Sequence, residues 1–226
     1  MGAETEAIVR RTIRKVGEAE LPLFLRSTIH AGNVDQMVEI VRDAKRFGAD
    51  TVGFAPLALM GNAKRNAVSR PEPEVYVDHF IRALECALAE RVNVYSSEIN
   101  YLSRRGRNSP APTLVFLPDG SLSYSIKFCS TSSAGARELV VGRYDPPAQR
   151  LEFDWERLAE RGRIFSANQP RYCGGCTAFE DCRSLNLFDL LSVSADPGPL
   201  DSYYCEVTRM VLKRLEALDL SGNLPY

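Results

Sequence analysis

No stretch of this chain approaches the roughly 20 consecutive apolar residues that a membrane-spanning helix needs. An apolar leader is missing from the start, and Glu6 stands where a myristoylation signal beginning Met1-Gly2 wants Ser or Thr. Charge of one sign is missing too. The 28 Lys and Arg against 29 Asp and Glu leave a net of -1, no field to draw in nucleic acid or an anionic membrane. Six cysteines in 226 residues are too sparse for a disulfide scaffold. With 45% hydrophobic and 25% charged residues, disorder and collagen-like repeats are excluded as well. The expectation that remains is a cytoplasmic globular protein of one large or two small domains, with no nucleic-acid or membrane partner.

The apolar pattern begins as α/β grammar. Ile8, Val9, Ile13 and Val16 sit at helical spacing within residues 4–17, and Gly17 stops the pattern. Residues 21–29 form a short, largely apolar run that predicts a buried strand of a parallel sheet. Asn33, with Gln36 three residues on, reads as a capping box for a helix that Gly48 ends. Residues 51–57 predict a second apolar strand. Helix, strand, helix, strand implies crossover connections. Two parallel strands cannot cover their own edges, so this part reads as incomplete. Residues 61–73 read as a linker, and residues 74–91 as a helix carrying Val77, Phe80, Ile81, Leu84 and Leu88 on one side.

From Asn93 the grammar changes. Residues 92–96 are a candidate strand, and Arg104, Arg105 and Arg107 mark a basic loop. A hairpin is predicted around Asp119-Gly120, and a second flanks Asp145-Pro146-Pro147. Residues 154–165 read as helical, and the last helix spans 203–218 with Val207, Met210, Val211 and Leu215 inward.

Four of the six cysteines crowd the last third. Cys173-Gly174-Gly175-Cys176 is a C-x2-C knuckle, Cys182 follows after five residues, and Cys205 after 22 more. Glycine permits the backbone angles that a tight loop needs, so two thiolates can turn toward one ion or cluster. Cys182 and Cys205 would complete four-coordination. Both Fe–S clusters and structural zinc accept four thiolates, and spacing alone does not separate them. The five-residue gap is longer than the pairs of common zinc ribbons and tilts toward iron–sulfur. A C-x2-C redox pair and unligated thiols are the other readings.

The spacing Cys173-x2-Cys176-x5-Cys182 with a distant Cys205 resembles the C-terminal part of the SPASM domain of radical SAM enzymes, which extends peptide and protein maturases with auxiliary [4Fe-4S] clusters. Pro118-Asp119-Gly120, a strand, Cys129 and then Gly142 fit the same pattern. The phrases Leu25-Arg26-Ser27-Thr28-Ile29, Asn33-x-Asp35, Phe47-Gly48-Ala49-Asp50 and Gly61-Asn62-Ala63 resemble the last two βα units of the radical SAM partial barrel. The resemblance implies an α/β partial (β/α) barrel fragment over residues 1–72. A linker helix and a small α+β SPASM-like iron–sulfur domain would follow over residues 73–226. It further implies one auxiliary [4Fe-4S] cluster on Cys173, Cys176, Cys182 and Cys205. A second cluster site would be abandoned, because its ligand positions hold Pro147 and Asn186, with Cys129 left over.

The C-x3-C-x2-C motif that holds the S-adenosylmethionine-cleaving cluster occurs nowhere in the chain. The resemblance therefore implies the C-terminal portion of a maturase that acts on a peptide or protein but does not cleave S-adenosylmethionine by itself. That cofactor would enter only with a barrel-completing partner, and self-association is the other way to cover the open strand. A stand-alone accessory subunit that relays electrons or binds peptide, and a zinc protein whose metal is structural and held by four cysteines, are the alternatives.

Other residues carry weaker signals. Arg26 is a charge inside an apolar strand and would need a partner if buried; the resemblance places it toward the carboxylate of S-adenosylmethionine. His30 follows the same strand and reads as a structural loop histidine, and His79 as a boundary residue on a helix. Cys86 reads as a helix residue packed in a core. The Arg104–Arg107 loop reads as solvated. Tyr203 and Tyr204, beside Cys205, are expected to shield a metal centre from water.

Overall fold

The computed structural model describes residues 2–59, 61–99, 114–125, 136–182 and 191–218 except 193, 195 and 199. Cys129, the Arg104–Arg107 loop and Asn186 lie outside the described residues. The chain divides into two compact units, residues 1–105 with 202–226, and residues 106–201. Among the described residues no helix is long and apolar enough to cross a membrane.

The first unit opens with α1 (Gly2–Glu18), then β1 (Phe24–Ile29), a 3-10 turn (Val34–Gln36) leading into α2 (Met37–Arg46), and β2 (Thr51–Pro56). The short α3 (Gly61–Arg65) and the long α4 (Pro73–Glu90) lead to β3 (Asn93–Tyr95). The helix predicted to open the second domain thus packs within the first unit: Phe80 and Leu84 of α4 meet Met37 and Val41 of α2 and Val52 and Phe54 of β2 in one core. The helix at the end of the chain, Tyr203–Ala217, adds Val207, Val211 and Leu215 to that core.

The sheet has three parallel strands in the order β1-β2-β3, not the two read from the sequence. Leu25, Val52 and Val94 stand side by side on the covered face. The opposite face is exposed at Phe24, Arg26, Thr28 and Tyr95. Its centre is Gly53, where a Cβ would come 2.8 Å from Cζ of Phe24. The Phe24 ring meets Tyr95 edge-on at 5.7 Å across that glycine. So β1 is half-exposed and not the fully buried strand predicted, because among the described residues it pairs on one side, and it is covered on one face.

Two local expectations also change. Asn33 caps no helical N–H; its Oδ1 accepts the N–H of His30 at 2.8 Å and its Nδ2 donates to the carbonyl of Thr28. The side chain ties the end of β1 to the loop after it. Gly48 does end α2, at φ +73°, with Ala49 N–H returning to the carbonyl of Ala44.

The second unit is built on an antiparallel sheet, β4 (Val115–Phe116), β5 (Ser121–Ser123), β6 (Val140–Asp145) and β7 (Arg150–Phe153), in sequence order. Both predicted hairpin turns are present. Gly120 takes φ +82° in the first; in the second, Asp145 accepts the N–H of Ala148 and Gln149 takes φ +51°. Next comes α5 (Trp155–Cys173), capped by Asp154, which accepts the N–H of Arg157 at 2.9 Å. It runs eight residues past the predicted end and carries Pro170 in its last turn. The small core of this unit is Tyr124, Leu139 and Val141, with Leu158 of α5 against it. A single helical turn, α6 (Phe179–Cys182), follows, and Tyr203–Ala217 of the first unit is α7.

Candidate metal centre

The knuckle is built by the end of α5. The carbonyl of Pro170 accepts the N–H of Gly174 at 3.0 Å. That contact leaves no room for a side chain, since a Cβ on Gly174 would stand 2.4 Å from the same carbonyl oxygen. Gly174 has φ -59° and ψ 126°, and Gly175 has φ +74°. The carbonyl of Cys173 accepts the N–H of Cys176 at 3.1 Å. These angles and that bond make residues 173–176 a type II turn, whose third position requires a positive φ and therefore glycine. Such a turn holds its first and last Cα within about 7 Å, so Cys173 and Cys176 share one end of the loop.

Two more turns follow at once. The N–H of Phe179 donates to the carbonyl of Cys176, and the N–H of Cys182 to that of Ala178. Cys182 thus closes α6, one helical turn beyond the knuckle. All three thiols are half-buried. Polar side chains of α5 fix the stretch leading away from them: Asn168 donates to the carbonyls of Leu191 and Ser194 at 2.8 and 2.7 Å, and Tyr172 to that of Gly198.

Cys205 stands in the first turn of α7, in the first unit. Among the described residues no three of His, Cys, Asp and Glu come together as a metal site. The donor chemistry, three thiols on successive tight turns, suits a thiophilic ion or cluster, and the knuckle supplies two of them on one turn.

The other sequence candidates fall elsewhere. Arg26 is exposed on β1 and therefore needs no buried counter-ion. The Nδ1 of His30 accepts the N–H of Gly32 at 3.0 Å, a loop role. Cys86 of α4 packs against the first core, and His79 sits half-buried on the same helix. The two tyrosines beside Cys205 make contacts within the first unit: Tyr203 is buried in its core, Arg70 lies 4.3 Å over the Tyr203 ring, and the Tyr204 hydroxyl donates to the carbonyl of Pro56.

A buried polar nest at the carboxyl end of the parallel sheet carried no sequence signal. Glu98, just past β3, is 4% exposed and accepts a hydrogen bond from the Thr208 hydroxyl of α7 at 3.2 Å. Burial raises its pKa against the opposing hydrogen bonds of its own backbone, Ser96 and Thr208. Burial, with the Glu98 charge next, also pushes the Tyr76 phenol well above its ordinary value. The Tyr76 hydroxyl has no hydrogen-bond partner among the described residues. A carboxylate in a sequence reads as surface, and only the fold shows this one is interior.

No protein-family model, curated protein or solved structure matches the chain.

Proposed function

We propose that this chain is an iron–sulfur protein whose ligands are Cys173, Cys176, Cys182 and Cys205. In this reading it corresponds to the C-terminal portion of a radical SAM/SPASM maturase that acts on a peptide or protein. The type II turn of the knuckle is the observation that carries the reading: two glycines, one forced by a close carbonyl and one by a positive φ, place two thiolates on one loop. Cys205 enters by spacing and resemblance. A three-stranded parallel sheet exposed on one face supports reading the first unit as a barrel fragment, because parallel sheets are otherwise covered on both faces.

A bound [4Fe-4S] cluster would supply one-electron chemistry. The chain's own residues would hold it, with α5 and its clamp on residues 191–198 fixing the loop around it. Without C-x3-C-x2-C the chain does not cleave S-adenosylmethionine unaided.

Anaerobic reconstitution followed by iron and sulfide analysis tests the reading. About four of each per chain is the content of one [4Fe-4S] cluster. Stoichiometric zinc in a native preparation, or no metal at all, defeats it.

A further inference from the structure

The turn that sets two thiols side by side also offers them to each other. Residues 173–176 are closed by the N–H of Cys176 on the carbonyl of Cys173, with Gly174 and Gly175 in the type II angles. Such a turn keeps its end Cα atoms within about 7 Å, and a disulfide spans Cα atoms about 4.4–6.8 Å apart. The pair therefore stands at bridging range in the folded chain, with no element to be moved first. Both thiols are half-buried and not enclosed. Among the described residues nothing lies within 4 Å of the position a Cβ on Gly175 would take, so the turn is open on that side to a small reagent.

Among the described cysteines only this pair shares a turn. Two further turns, Cys176–Phe179 and Ala178–Cys182, lie between the knuckle and Cys182. Cys86 belongs to α4 and Cys205 to α7.

We propose that the knuckle is a site of thiol–disulfide exchange: a low-molecular-weight disulfide of the glutathione class oxidises Cys173 and Cys176 to an intramolecular disulfide, and that bond closes the metal centre. One thiolate of the pair attacks a sulfur of the small disulfide, breaking its S–S bond and releasing one small thiol. The other thiolate attacks the protein sulfur of the mixed disulfide, forms the Cys173–Cys176 bond and releases the second small thiol. Two electrons pass from the pair to the small disulfide, and the two thiol protons end on the released thiols. The turn makes the second attack intramolecular, so closure outruns the build-up of mixed disulfide. Excess small thiol runs the sequence backwards. A metal ligand has to be a thiolate, so the oxidised knuckle withholds two of the four proposed donors. The couple rests on the turn alone; the closure of the centre rests on Cys173 and Cys176 being metal ligands, as proposed above.

The metal-free full chain is equilibrated anaerobically with mixtures of glutathione and its disulfide, quenched in acid, alkylated and mapped by mass spectrometry. Cys173 and Cys176 should lose alkylation together in one two-electron transition, linked to each other, while Cys86, Cys182 and Cys205 stay alkylated. Cys176→Ser should stop at a glutathione adduct on Cys173. Gly174→Ala, whose methyl meets the Pro170 carbonyl, should need at least a tenfold more oxidising mixture. Cobalt(II), added without sulfide or thiol, reports the thiolates through its charge-transfer absorbance; the oxidised chain should bind less than a tenth as much as the reduced chain, and dithiothreitol should restore binding. A linkage to Cys182 or Cys205, persistent glutathione adducts on wild type, no oxidation, or an unchanged midpoint in a folded Gly174→Ala overturns the couple. Equal cobalt binding by both forms, or none by the reduced chain, overturns the closure. Iron and sulfide analysis of the reduced chain judges the iron–sulfur reading separately, so its failure is distinguishable from either.

Discussion

The carbonyl of Cys173 and the N–H of Cys176 meet at 3.1 Å across two glycines that cannot be exchanged for alanine at the same cost. At Gly175 the cost is conformational, since φ is +74° and nothing stands within 4 Å of a new Cβ. Gly175→Ala should lower stability by about 1 kcal/mol, the usual penalty for an L side chain there. At Gly174 the new methyl meets the backbone carbonyl of Pro170, which has no rotamer to escape into. Gly174→Ala should cost more, about 2–3 kcal/mol, and should lose iron on reconstitution. Urea unfolding with iron analysis ranks the two. Gly174→Ala with full iron content and unchanged stability would mean that the turn is not the support of the centre.

The proposed ligands should behave as one set. Removing any of Cys173, Cys176, Cys182 or Cys205 opens the coordination shell, and metal binding is linked to local folding in such sites. Each Cys→Ala change should bleach the visible absorbance of reconstituted protein and lower its melting temperature. Cys86→Ala should leave the absorbance intact, because Cys86 packs on the first core. A full-strength chromophore in Cys205→Ala would remove that residue from the set and leave the three thiols of the second unit.

The parts of this fold that follow a period were legible, and the parts that depend on company were not. The stripe of α4 and the Asp119-Gly120 turn follow from spacing and turn chemistry. The strand Asn93–Tyr95 is three residues long, too short to show a period, and only its register with Thr51–Gly53 makes it a strand of the first sheet. The extension of α5 to Cys173 was masked by Pro170, which reads as a breaker although it sits in the final turn. Asn33 carried the right residue type for a cap and serves the β1 loop in its place, because Thr28 and His30 offer it closer partners. Of the candidate site, the Cys knuckle was readable because two glycines between two cysteines leave few conformations. The partners of Cys205 were not, since α7 is placed by Glu98, Phe80 and other residues more than a hundred positions upstream.

Glu98 predicts a pH dependence of stability. Its pKa is raised in the folded chain above the ordinary glutamate value of about 4.3. The folded state therefore binds this proton more tightly than the unfolded state does. The associated stability is fully present below the ordinary value and is lost as pH rises through the folded one. Glu98→Gln keeps an acceptor for Thr208 and removes the titration. Urea unfolding from about pH 4 to 8 should show the variant gaining on wild type as pH rises, with the smallest difference at the acid end. Parallel curves across that range would mean that Glu98 is not the group responsible.

Gly142 gives a test of the second unit that is independent of metal. A Cβ there would stand 2.4 Å from the carbonyl oxygen of Glu152 and 3.2 Å from a methyl of Leu122. The first contact is backbone on the paired strand, so relief requires β6 and β7 to separate. Gly142→Ala should destabilise by about 1–3 kcal/mol, in the range of overpacking. A variant with wild-type stability would show that β7 shifts at no cost and that its register is loosely held.

The exposed face of the parallel sheet predicts association. Phe24 and Tyr95 are 50% and 48% exposed, and their rings meet edge-on over Gly53 on the face opposite the core. Beside them, among the described residues, β1 pairs only with β2, which leaves a row of backbone groups at an apolar edge. Covering that surface releases its hydration water, so the chain should self-associate at tens of micromolar or become monodisperse with a partner that covers the sheet. Light scattering should give a mass above the 25.1 kDa of one chain that falls on dilution. Phe24→Ser with Tyr95→Ser should weaken the association at least tenfold, about 1.4 kcal/mol, without unfolding a core to which neither ring belongs. A clean monomer at those concentrations would mean that the edge is stable in water as it stands and that this face is no interface.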